Sequence, residues 1–154
     1  MLAAARAAKR GASLEEVTAA AEGVARRVIL FATLKTLEHV HRGGRLGEAA
    51  ALLGSQLRIV PILDLGAGRV RVAAVTRSWQ NALERLVELA AERVSGSCGI
   101  ASAFHGDLLG DAQELRDRFL ERVSCREFMI TEFTPVMGAH TGPDVVGLAF
   151  YCDG

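Results

Sequence analysis

Two glycine-bounded stretches carry residue types that can hold an oxyanion. In Pro135-Val-Met-Gly-Ala-His-Thr-Gly-Pro143, one imidazole (His140) and one hydroxyl (Thr141) stand between Gly138 and Gly142. Glycine lets backbone approach a ligand closely or adopt a positive φ, while Pro143 restrains the exit and removes one donor. In His41-Arg-Gly-Gly-Arg45, two glycines precede a guanidinium that stays charged at any working pH. Gly44 and Arg45 then lead into Gly47–Leu53, a small-residue segment of helical character. Amides at a helix start beside an arginine suit an anion. The candidate ligand-holding residues are therefore Gly44, Arg45, His140, Thr141 and Gly142. For each stretch the alternative is an ordinary turn, and their separation in sequence leaves open whether they meet.

Other chemistries find little support. The chain has no G-x-G-x-x-G after a strand, no Walker loop and no G-x-S-x-G elbow. His39 and His41 are two apart with no matching ligand pair, so neither a metal nor any other cofactor is expected. His105 ends an apolar run and reads as a hydrogen-bonded core position. An enzyme built on His140 would need a carboxylate to orient its ring, and none adjoins it in sequence.

Composition narrows the partners. Eighteen basic residues balance eighteen acidic ones, which argues against non-specific nucleic-acid or anionic-membrane binding. No apolar run reaches the roughly 20 residues of a membrane span. Cys98, Cys125 and Cys152 lack metal-type spacing and read as buried thiols of a cytoplasmic protein. Half of the 154 residues are hydrophobic, enough for one domain with a proper core.

The elements that must position the two stretches follow from periodicity. Short apolar runs predict strands at Arg27–Ala32, Leu57–Leu65, Arg69–Val72, Cys98–Phe104, from near Cys125, and at Val145–Tyr151. The second and third form a hairpin around Gly66–Gly68, and Pro61 places its strand at an edge or a bulge. Helices are expected over Leu2–Arg10, from a Ser13/Glu16 capping box to about Gly23, and over Thr33–Val40. Two more are expected over Ser78–Arg93, with Trp79, Leu83, Leu86, Val87 and Ala90 on one stripe, and from an Asp111 cap to Arg122. Trp79 reads as core packing. The segment between the last two strands reads as a loop. These elements make an α/β fold, a two-layer domain with a mixed six-stranded sheet and helices mainly on one face.

The chain also resembles a known family. Leu37-Glu38 with Arg42-Gly-Gly-Arg-Leu46, Ala49-Ala-Ala-Leu-Leu-Gly-Ser55, Ile59-Val-Pro-Ile-Leu63, Pro135–Pro143 and Gly147-Leu-Ala-Phe150 look like the second, C-terminal lobe of DegV-family fatty-acid-binding proteins. The resemblance implies a bacterial, non-enzymatic lipid-binding protein. Its long-chain fatty acid, as carboxylate or acyl phosphate, would be attended by Arg45 and His140 and offered to a fatty-acid kinase. It also implies that residues 1–24 form a helical junction to a missing first lobe, with 25–154 the DegV-like domain. A separate first lobe or a homodimer would then cover the cleft. Gly47-Glu48 stands where the family has Ser-Lys, Val60 where lysine is common, and Asp144-Val-Val146 where a Gly-Ala or Gly-Thr pair is usual. A carboxylate from Asp144 facing the site would weaken an anion's hold. Two other readings stay open: a truncated or assembly module without its own ligand, and a His140-dependent enzyme.

Overall fold

Alternating apolar residues in the strands present side chains to both sheet faces, and an apolar cluster forms on each. The computed structural model describes residues 1–44, 47–52 and 59–153. Its strands are β1 (Ile29–Leu34), β2 (Val60–Asp64), β3 (Arg71–Thr76), β4 (Ser97–His105), β5 (Cys125–Glu132) and β6 (Val145–Asp153). They form one sheet in the order β3-β2-β1-β6-β4-β5. Only β4 and β5 run parallel; the other neighbouring pairs are antiparallel. The mixed six-stranded sheet and the β2–β3 hairpin, turned at Gly66–Gly68, agree with the sequence expectation.

The two long helices, α4 (Trp79–Glu92) and α5 (Leu109–Arg122), pack on one face. There Leu83, Leu86, Val87, Leu115 and Phe119 meet Phe31, Ile62, Leu148 and Phe150 in the larger core. The helices are also tied to each other, because Glu84 accepts hydrogen bonds from both Arg118 and Arg122. Trp79 packs against this core, and its Nε1 donates to Asp111 Oδ2 over 3.1 Å. Asp111 is thus a first-turn residue of α5 rather than its cap. The helix already begins at Leu109, and the indole takes the carboxylate that a cap would have used.

The opposite face carries shorter elements. The helices α1 (Leu2–Lys9) and α2 (Leu14–Ala25) pack together, with the Ser13–Glu16 capping box formed in both directions. Arg6 reaches Glu127 of β5 at 2.7 Å and holds that carboxyl below the ordinary glutamate range through this hydrogen bond. The pair therefore stabilises the chain above that range and is lost as pH falls through it.

At the other end of this face lie α3 (Glu38–Arg42), a 3-10 turn at Gly47–Leu52, and α6 (Pro135–Thr141). The helix expected over Thr33–Val40 is divided. Leu34 stays in β1, paired with Val145, because sheet pairing outweighs a helical pattern only three contacts long. The expected helix ends at Leu53 and Gly54 and the strand start at Leu57–Arg58 lie outside the described residues. Pro61 is not at an edge, since β2 runs between β3 and β1. It adjoins instead the register shift at Ile62/Leu63, the bulge that was the alternative.

Candidate functional site

The segment read as a loop before β6 is a helix. Pro135 at the first position of α6 carries the φ of a helix start and needs no N–H partner there. Glycine and proline hide this seven-residue helix from periodicity, which needs longer runs. The helix places His140 in its last turn, where Gly142 N donates to Gly138 O at 2.8 Å. Thr141 Oγ1 bonds back to Met137 O at 3.1 Å, so its hydroxyl is engaged within the helix end.

Helix α6 lies against α3, and the contact is reciprocal through two glycines and two histidines. A Cβ built on Gly43 would come 3.1 Å from His140 Nδ1. A Cβ on Gly142 would come 2.5 Å from His39 Cδ2. The glycine-rich turn and the His140 segment thus meet on one edge of the fold, with Gly44 following at φ +68°. Arg45, the candidate cation, lies outside the described residues. His39 is the residue that sequence reasoning misses, because its spacing presents it only as half of a metal pair with His41. Among the described residues no group of three His, Cys, Asp or Glu could hold a metal ion.

Gly142 combines φ +77° with ψ 173°, a region essentially reserved for glycine. Gly142→Ala is therefore expected to cost about 1–3 kcal/mol in strain, plus the displacement of the His39 ring. Urea unfolding of Gly142→Ala, alone and with His39→Ala, measures both parts. A variant as stable as the parent would show that this backbone is not held as described.

Beneath α3 and α6 the sheet face is apolar and concave. A cavity of about 220 Å³ is bounded by Leu30, Ala32 and Leu34 of β1, Leu63, Leu65 and Val70, Val40 of α3, Phe104, Phe133, Met137 and Val145. Its polar lining residues are His140 and Thr141. Phe104 and Phe133 stack at 4.9 Å between ring centroids, forming one wall. The even-numbered residues of β1 supply the floor because alternate side chains leave the α4–α5 core for this face. A second concavity of about 190 Å³ opens farther along the same face, near α1 and α2. The two are separated by the β1–β6 pair Leu30↔Ala149.

Two polar groups near this apolar space have partners of their own. Asp144 Oδ1 lies 3.0 Å from Lys35 Nζ, so the feared carboxylate is matched by a cation of its own. The Lys35 ammonium also stands 5.5 Å from the Trp79 ring centroid. His105 is buried, and its Nδ1 lies 3.0 Å from Gly106 O. A carbonyl only accepts, so Nδ1 is the donor. This is the hydrogen-bonded core position expected from the sequence.

A family model described as "Uncharacterised protein, DegV family" matches residues 1–153. A DegV domain-containing protein of Streptomyces coelicolor is 36% identical over 148 residues, covering 96% of this chain and 53% of the relative. A Thermus thermophilus DegV-family structure described by its fatty acid binding aligns with TM-score 0.88 and 32% identity, covering 97% of this chain and 54% of that one. Bacillus subtilis DegV, described as a fatty acid binding protein, aligns with TM-score 0.77 and 27% identity over 97% of this chain and 54% of its own. The chain spans about half the length of the curated relatives it matches.

Proposed function

The chain belongs to the DegV family, and from that premise we propose that it binds a long-chain fatty acid, with the alkyl tail on the apolar sheet face and the head group at His140. The carrying observation is the cavity itself: apolar walls, with His140 and Thr141 as its polar lining residues. An imidazole donor at the end of an apolar space suits a carboxylate or acyl phosphate. Gly44 and Gly142 give backbone access beside it, and Arg45 follows the turn that touches His140. The Lys35 pairing of Asp144 removes the main electrostatic objection.

At about 220 Å³ the cavity falls below the ~300 Å³ of an ordinary small-molecule site. The tail then continues across Leu30 and Ala149 toward the second concavity, or beneath a covering body. Exposed Val136 and Met137 on α6, together with the half-length match to the relatives, favour a cover. That cover is a first lobe, joined through the helical junction of residues 1–24, or a second copy. In this reading the protein is cytoplasmic, is not itself a catalyst, and offers its head group to a fatty-acid kinase. None of its cysteines is disulfide-bonded, and no described helix is long and apolar enough to cross a membrane.

Native mass spectrometry of protein purified from bacterial cells should find a co-purified fatty acid. Arg45→Ala and His140→Ala should each weaken binding of a fluorescent fatty acid roughly 10–100-fold, the worth of one charge-assisted hydrogen bond, while leaving circular dichroism unchanged. Parent-like affinity in both variants would remove the head-group assignment.

A further inference from the structure

The three cysteines are scattered through the sequence but stand side by side in the sheet. Cys98 of β4 pairs in register with Cys125 of β5 on one side and with Cys152 of β6 on the other. All three belong to the α4–α5 face, where Cys98 and Cys152 are buried and Cys125 is half-buried. None of the three is in a disulfide. Among the described residues no group of three His, Cys, Asp or Glu is placed to hold a metal.

We propose that Cys98 and Cys125 are an oxidisable pair that closes a β4–β5 disulfide when hydrogen peroxide reaches the half-buried Cys125. Neighbouring strands run roughly 4.8 Å apart, inside the roughly 4.4–6.8 Å between Cα atoms that a disulfide accepts. The Cys125 sulfur attacks the peroxide, the O–O bond breaks, and water leaves behind a sulfenic acid. The Cys98 sulfur then displaces that oxygen, forming the S–S bond and releasing a second water that carries the Cys98 proton. Two thiols are oxidised and one peroxide becomes two waters. Cys125 is the entry point because it is the most exposed of the three. Cys98 resolves because it is the register partner of Cys125 on the neighbouring strand. Burial pushes the Cys125 thiol above its ordinary range, which lowers the fraction present as thiolate. The bond would fasten β5, an edge strand, to the body of the sheet.

The test treats the full chain with hydrogen peroxide, alkylates it, and maps peptides under non-reducing conditions. The expected product is a Cys98–Cys125 cross-linked peptide that dithiothreitol reverses, with Cys152 still alkylated. Cys125→Ser should lose the cross-link entirely, and Cys152→Ala should keep it. A Cys98–Cys152 link, a disulfide-linked dimer, a sulfinic acid on Cys125 without cross-link, or three thiols still alkylated would each overturn the proposal. The unsubstituted chain alone decides between these outcomes, so a variant that folds poorly does not blunt the test.

Discussion

Leu86→Ala is expected to destabilise the protein by about 2–5 kcal/mol, through lost burial and the cavity left behind. Leu86 sits mid-way along α4, is fully buried, and belongs to the core that α4 and α5 build on the sheet. Close-packed neighbours on several sides leave little room for collapse into the vacated space. In urea unfolding the midpoint should fall while the slope stays constant. Leu120→Ala provides the control: that leucine is 41% exposed on α5, and its loss should stay within about half a kcal/mol. Equal, small losses for both residues would mean that the α4 stripe does not form the core.

The second large effect is expected at Gly147, the third residue of β6. A Cβ there would lie 2.2 Å from Phe31 O and 2.4 Å from Phe104 Cζ. One neighbour is backbone of an adjacent strand and cannot swing away; the other is a ring in the cavity wall. Gly147→Ala must therefore shift β1 or push Phe104 toward the cavity, and overpacking of this kind costs about 1–3 kcal/mol. The two consequences separate experimentally. Urea unfolding reads the strain, and fatty-acid binding reads the displaced Phe104–Phe133 stack. Parent stability and parent affinity together would show that β6 does not press on its neighbours as described. A loss of stability with intact affinity would show that the strain is absorbed without displacing the Phe104–Phe133 wall.

Both sites show how a residue's local pattern and its setting divide the explanation. Leu86 was legible because its stripe repeats for four turns of an amphipathic helix, and burial follows directly from that period. Gly147 read only as part of a family motif. Its necessity arises from a strand and an aromatic ring brought together from distant parts of the chain.

What the sequence determined by itself is local and periodic. The apolar runs specify six short strands, the Trp79–Ala90 stripe specifies α4, and Ser13 with Glu16 specifies the start of α2. The resemblance on the glycine-rich motifs named the DegV family, which the match over residues 1–153 bears out. Tertiary structure decided the rest, because pairing and packing act between residues with no shared period. Strand order put β2 inside the sheet despite Pro61, and pairing with Val145 drew Leu34 out of a helix. Only the fold could set His39 against Gly142 and Gly43 against His140, or align three cysteines across neighbouring strands. These contacts depend on the register of non-local strands and on the close approach that glycine permits, and no window along the chain contains both partners.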